Sequence, residues 1–347
     1  MRLKHIYHTI QRARTLKTDH IYALPVVILM PHSACNCKCI MCDIWKNNKN
    51  LHQLTEADVS DLLSSLKKFG TQQVVMSGGE ALLNPNFFKL CSLLKTLKIK
   101  ITLLSTGITI RKQALQLVDY VDEVIVSLDG DEPLHDQIRR VPGAFRKMQE
   151  GLSVLRSLKP DFKVTARTVI HAGNFRKWTD IITAAKRLGV QQISFLPADV
   201  SSEAFNRQTP WNLDKQNELL VPEEGLPELA RTVEKVVAIA RRHPDLIAES
   251  TEKLYNIYRY YAAFYNLNPF PFKKCNAPWV SVVIEADGTV RPCFFHQAIG
   301  NIHNAVLPEI LNSEEAILFR KMLKQSRNEI CARCVCSLNL PVTQMLN

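Results

Sequence analysis

The chain has 347 residues, enough for about two domains. Hydrophobic residues make up 46% and charged residues 22%, which excludes a disordered or low-complexity protein. Its 44 Lys and Arg against 33 Asp and Glu favour anionic partners, yet no zinc-finger spacing, arginine-rich tail or aromatic-interleaved basic strand points to nucleic acid.

In chain order, the first 24 residues hold Leu3, Ile6, Tyr7, Ile10 and Ala13 at helical spacing among Arg2, Lys4, Arg12, Arg14 and Lys17. This is a basic amphipathic helix, able either to pack on the body of the protein or to lie peripherally on an acidic membrane. PVVILM (residues 25–30) reads as the first strand, followed by a Cys-rich loop and a helix opening at Thr55. QQVVMS (72–77), IKITLLS (99–105), EVIVSLD (123–129), FKVTARTVI (162–170) and QQISFLP (191–197) read as further strands, with helices between them. These are continuous apolar runs, as in buried parallel strands. Six such strand–helix units predict an α/β fold, a partial (β/α)6 TIM-like barrel, with its chemistry on the loops after the strands. The barrel core is expected over 25–215 and a helical linker over 216–270. A small Cys-rich domain over 271–347 contains a hairpin turning at Asp287-Gly288.

No run reaches the roughly 20 apolar residues of a membrane span, and the N-terminus does not read as a secretory signal. A cytoplasmic location follows as the expectation, with peripheral contact at the inner face of the membrane as its extension. In a reducing compartment ten cysteines point to ligand or catalytic roles rather than disulfides.

Cys35, Cys39 and Cys42 have C-x3-C-x2-C spacing on one loop. Three thiolates from one loop suit an iron–sulfur cube with one iron left for a non-protein ligand. Zinc is the rival, with Cys37 or His32 as a fourth ligand. Cys275 and Cys293, with Cys331 and Cys334 as a C-x2-C pair, form a second set of four. By spacing alone that set suits zinc or a four-cysteine cluster.

CNCKCIMCDIW after the first strand, SGGE after the second and SLDG after the fourth resemble the radical S-adenosylmethionine (radical SAM) superfamily. The resemblance implies a [4Fe–4S] cluster on Cys35, Cys39 and Cys42 whose open iron binds S-adenosylmethionine. It also implies reductive cleavage to a 5′-deoxyadenosyl radical that abstracts a substrate hydrogen. Ser77, Gly78, Gly79 and Glu80 match the motif that binds the cofactor's amino group, with Ala81 where the family usually has Pro. Ser105 and Thr106 match a ribose-contacting position. Ser127 and Arg139 match the residues for ribose and carboxylate, and Leu196 an adenine contact.

The second cysteine set resembles a SPASM domain in its truncated, twitch form, which implies one auxiliary [4Fe–4S] cluster. Cys336 is then a substitute ligand, a hydrogen-atom donor to a substrate radical, or an inert buried thiol. The family implies an electron donor such as flavodoxin or ferredoxin. Only about 24 residues precede the first strand, so no recognition domain is expected at that end. The expected reaction is oxidation or epimerisation of a small molecule or a lipid or sugar precursor; the alternative is peptide modification with a separate recognition partner.

Overall fold

The computed structural model of the chain describes residues 2–207, 209–326, 328–344 and 346. Helix α1 (Arg2–Thr18) leads into β1 (Val26–Leu29). Strand and helix then alternate through α2 (Glu56–Phe69), β2 (Gln73–Met76), α3 (Phe87–Lys95), β3 (Lys100–Ser105), α4 (Ile110–Tyr120) and β4 (Glu123–Ser127). Two helices, α5 (Glu132–Arg139) and α6 (Ala144–Leu158), precede β5 (Lys163–Ile170), and α7 (Trp178–Leu188) precedes β6 (Gln192–Pro197). These six strands are parallel and pair in chain order, giving the expected partial barrel.

Local chemistry explains the units. Helix α2 opens on a reciprocal capping box between Thr55 and Asp58 and closes on Gly70 at φ 64°, the left-handed conformation that glycine tolerates. Its Val59, Leu62, Leu66 and Phe69 recur at helical spacing and are buried against the sheet. In β6, Ile193 and Phe195 turn outward, where Phe195 meets Trp178 of α7 with ring centroids 5.1 Å apart. Ser194 and Leu196 therefore face the other way, into the barrel.

Beyond β6 the chain builds α8 (Leu213–Asn217), α9 (Leu226–Arg242) and α10 (Thr251–Ala263). The link between α9 and α10 runs beside β6: Ile247 bridges Ile193 in parallel, with Ile193 N–H donating to Leu246 O (2.8 Å) and Ala248 N–H to Ile193 O (3.0 Å). The C-terminal part holds α11 (Ala277–Val280), β7 (Ser281–Ile284), β8 (Thr289–Arg291), β9 (Gly300–Asn301), α12 (Leu307–Leu311), α13 (Glu314–Gln325) and α14 (Glu329–Arg333). The expected hairpin is β7–β8. Strand β7 also pairs in parallel with β1, so the Cys-rich region continues the barrel sheet, in the order β6-β5-β4-β3-β2-β1-β7-β8-β9.

Helix α1 packs with an unexpected face. His8, Arg12 and Thr15 are buried, whereas Ile6, Tyr7 and Ile10 are 52%, 54% and 51% exposed. The side chains of Arg2, Leu3 and Lys4 lie outside the described residues. Among the described residues no helix is long and apolar enough to cross a membrane.

Candidate active site

The loop after β1 is fastened at several points. Asn48 accepts from Cys35 N–H (3.0 Å) and donates to Cys35 O (2.9 Å). Lys38 and Ile40 N–H groups donate to the carbonyls of Arg139 and Ile138 at the end of α5 (3.0 and 3.1 Å). Trp45 Nε1–H donates to Cys42 O at 2.8 Å. The SGGE turn after β2 approaches this loop closely. Gly78 lies at φ 114°, and a Cβ on Gly79 would collide with the Ala34 carbonyl. Ser77 N–H donates to Leu29 O (2.8 Å) and Glu80 N–H to Ala34 O (2.9 Å).

The thiols of Cys35, Cys39 and Cys42 share one electrostatic environment. Burial pushes Cys35 and Cys42 up to about 12, and the charge of Cys39 adds to that rise in both. Cys39 is instead held below the ordinary thiol range, by a hydrogen bond from Cys37 and by Arg139, whose Nη1 donates to its sulfur at 3.4 Å. Sulfurs that resist ionising together need added positive charge, which the iron of a cluster provides, so this donor set fits an iron–sulfur centre. Cys37 is 1% exposed and turned toward Cys39. His32 Nδ1 accepts from Ala34 N–H at 3.0 Å. Cys37 stays beside the other loop thiols, and among the described residues no three His, Cys, Asp or Glu side chains converge on a single ion.

Glu80 is fully buried. Its carboxylate accepts from Ser105 Oγ (3.1 Å), Thr106 N–H (2.7 Å) and Thr106 Oγ1 (2.7 Å). Burial raises its pKa while these donors pull it back. Thr106 Oγ1 also lies 2.9 Å from Asn36 Oδ1, joining the end of β3 to the cysteine loop. Arg139 is likewise already engaged: it forms an ion pair with Asp129, itself 0% exposed. Burial pulls the Arg139 pKa down, but Asp129 and Cys39 outweigh that and leave it raised. The structure thus gathers Cys35, Cys39, Cys42, Gly78, Gly79, Glu80, Ser105, Thr106 and Arg139. Ser127 ends β4 in register with Arg167, and Leu196 lines a separate cavity.

In the second region, burial pushes Cys293 up to about 12, with further contributions from Cys331 and Cys275. Burial also raises Cys334, and the charges of Cys336 and Cys293 add to it. These four expected thiols are therefore within electrostatic reach of one another, again a set suited to cluster iron. Cys334 Sγ donates to Cys336 O at 3.0 Å. His296 Nε2 lies 3.3 Å from Cys331 Sγ, a neighbour the spacing of the cysteines does not reveal. Asp129, Asn36 and Asp43 were also not singled out from sequence. Asp129 stands two residues beyond Ser127 within the SLDG motif, which was the available signal.

Two cavities adjoin the sheet. The larger, about 620 Å³, lies against β5 and β6 and is open to solvent, with the start of α10, residues 272–274 and the tail after α14 as its other walls. The smaller, about 330 Å³, lies between the turns after β1 and β2 and the β7–β8 hairpin.

Residues 29–185 match the radical SAM superfamily and residues 275–335 the SPASM iron–sulfur cluster-binding domain. The chain is 25% identical to an AdoMet-dependent heme synthase of Methanosarcina barkeri over 54% of its own length and 57% of that protein's. It is 24% identical to the Fe-coproporphyrin III synthase of the same organism over 92% of its length and 83% of the relative's. The crystal structure of Streptococcus suis SuiB bound to the precursor peptide SuiA superposes with a TM-score of 0.65 at 16% identity, covering 95% of this chain and 74% of that one. The two domains imply a SAM-binding [4Fe–4S] cluster, an auxiliary iron–sulfur cluster and S-adenosylmethionine. With its cysteine loop, its SGGE turn and its parallel sheet in this arrangement, the chain belongs to the radical SAM superfamily and carries a SPASM iron–sulfur cluster-binding domain.

Proposed function

We propose that this radical SAM enzyme abstracts hydrogen from a small molecule or a lipid or sugar precursor, giving dehydrogenation or epimerisation. The observation that carries the reading is the cavity of about 620 Å³ on β5 and β6, lined in part by segments of the Cys-rich region. Sites for small ligands span roughly 300–1,000 Å³.

In this reading residues 25–215 form the core, 216–270 the helical linker and 271–347 the auxiliary domain, with the N-terminal helix in residues 1–24. Cys35, Cys39 and Cys42 hold the SAM-binding cluster; Cys275, Cys293, Cys331 and Cys334 hold the auxiliary one. When bound, cluster and S-adenosylmethionine supply the 5′-deoxyadenosyl radical. The backbone of Gly78 and Gly79 shapes the cofactor's seat, and Glu80 fixes the ends of β2 and β3 around it. Arg139 and Asp129 orient Cys39. The assignment of Ser127 to ribose and of Leu196 to adenine rests on their positions at the ends of β4 and β6. Hydrogen donation by Cys336 in an epimerisation is part of this reading; its neighbours Val335 and Ser337 line the cavity. A flavodoxin or ferredoxin serves as the external electron donor.

The test is anaerobic reconstitution, chemical reduction and quantification of 5′-deoxyadenosine, followed by mass spectrometry of small-molecule extracts. No 5′-deoxyadenosine from protein containing both clusters would refute the reading. Peptide modification is the second reading, favoured by the likeness to a SuiB structure that holds its precursor peptide. Product formation only from a co-encoded peptide would select it.

A further inference from the structure

The larger cavity contains a charged pair that is not joined. Arg167, on β5, donates from Nε to Ser194 Oγ of β6 at 3.2 Å, and both line the cavity. Glu249 lines it as well. It sits two residues past Ile247, the residue that bridges Ile193 on the opposite side of β6 from β5. Arg167 and Glu249 therefore flank β6, about two strand spacings or roughly 10 Å apart at the backbone. Glu249 feels the charges of Arg167 and of Lys253, which also lines the cavity, yet no ion pair joins it to either among the described residues. The Glu249 Oε2 atom is buried without a hydrogen-bond partner.

Half-buried opposite charges held apart are costly to a fold, because neither is compensated by the other. A buried carboxylate oxygen without a donor is costly too. Such groups persist at sites where a ligand completes them. The guanidinium, held through Nε, keeps its terminal nitrogens for a carboxylate in the planar fork geometry that arginine favours. The open oxygen of Glu249 accepts from an ammonium or another N–H or O–H donor. Burial pushes this carboxyl up to about 7, so a cationic ligand group would also draw it into its ionised form.

We propose that Arg167 and Glu249 form a two-ended recognition site for a zwitterionic substrate group, the carboxylate on Arg167 and the ammonium on Glu249. This deepens the reading of the cavity as the substrate site and rests on it. The substrate class it selects is an amino-acid-like small molecule or one with an equivalent acid and donor at matching separation.

The test titrates the cluster-loaded protein with three probes by ligand-observed NMR line broadening at neutral pH. Glycylglycine carries both charges, acetylglycine only the carboxylate and glycinamide only the ammonium. Glycylglycine is expected to bind about tenfold more tightly than either single-charge probe, the loss of one charge-assisted hydrogen bond. Arg167→Gln should weaken acetylglycine and glycylglycine by about tenfold and leave glycinamide unchanged; Arg167→Lys should restore part of the loss. Glu249→Gln should weaken glycinamide and glycylglycine and leave acetylglycine unchanged. Equal affinities for the three probes, or affinities the variants do not alter, would overturn the proposal. So would a loss of S-adenosylhomocysteine affinity in the variants with unaltered probes, which would assign the pair to the cofactor's pocket. Failure of the underlying reaction appears separately, as absent 5′-deoxyadenosine from the unaltered protein.

Discussion

Asp129→Asn isolates the charge that supports the cysteine loop. The amide keeps the shape of the carboxylate and can still accept from Val169 N–H, which donates to Asp129 Oδ1 at 3.1 Å. It removes the negative partner of Arg139, whose side chain is 10% exposed against 0% for Asp129. Breaking one side of a buried ion pair costs about 3–5 kcal/mol, mainly from the uncompensated charge that remains. With a urea dependence of roughly 3 kcal/mol/M, the midpoint of the metal-free protein should fall by about 1 M or more.

The useful control is Asp199→Asn. It breaks a second buried pair, Asp199–Arg207 at 2.7 Å with both side chains 1% exposed, that does not touch Cys39. Both variants should lose similar stability. Asp129→Asn should alter the first cluster more, because Arg139 donates directly to Cys39 Sγ, whereas Asp199 reaches that loop only through Arg207, Trp211 and Asp43. Removing a negative charge there favours the reduced, more negative cluster, so the midpoint potential should rise. Spectroelectrochemical titration followed by electron paramagnetic resonance reads it. An equal potential shift in both variants, or none in Asp129→Asn at full iron content, would refute the placement of Asp129 behind Cys39.

Glu249 makes a pH prediction with a definite sign. Its folded pKa of about 7 lies above the ordinary 4.5, so its favourable contribution is full below about 4.5 and is lost as pH rises through about 7. Glu249→Gln should therefore melt above the unaltered protein at pH values past 7 and not differ that way in acid; the same curve for both would refute it. Replacing Cys35, Cys39 and Cys42 by Ala should leave about four irons per chain, measured by iron assay, since the second thiolate set is separate. Cys336→Ala should keep all the iron, and a loss of about half would make it a ligand instead. The exposed Ile6, Tyr7 and Ile10 share α1 with exposed Arg14 and Lys17, so salt-sensitive sedimentation with acidic vesicles is expected for the full chain. Unchanged sedimentation after Ile6→Ser with Ile10→Ser would remove α1 as the contact.

The parallel barrel was legible because its strands are uninterrupted apolar runs, such as VVIL and KITLLS, with amphipathic helices between them. The cysteine loop was legible because short spacing confines three sulfurs to one turn of chain. Pairings between distant segments carried no such local signal. Nothing in SVVI indicates that β7 pairs with β1 rather than remaining within its own domain. The packing face of α1 was misleading for a related reason. Its apolar side is the exposed one, while Arg12 is buried and donates to the carbonyl of Gln344, more than three hundred residues away. The assignment of Glu80 and Arg139 to the cofactor came from the match of their motifs to the family, which says nothing of what else they bind. Their buried partners Ser105 and Thr106, at the end of β3, and Asp129, just past β4, arrive from other segments of the chain.

The segment after β6 shows why the two cysteine regions are best understood as parts of one structure. Trp211 Nε1–H donates to Asp43 Oδ2 at 2.8 Å, next to Cys42. Arg207 lies over the Trp211 ring at 3.7 Å and is locked by Asp199. Phe205, at φ 62°, adopts a left-handed conformation that bulky residues rarely hold without compensation, and Asn206, at φ 64°, one that asparagine tolerates. The turn projects Phe205 against Phe294, 4.9 Å between ring centroids, adjacent to Cys293. Backbone strain, a buried ion pair and an aromatic contact are thus spent along one short strap that touches the neighbours of Cys42 at one end and of Cys293 at the other. A fold that required only two independent metal-binding loops would have no use for that combination. Its presence fits an enzyme in which the spacing of the two centres matters.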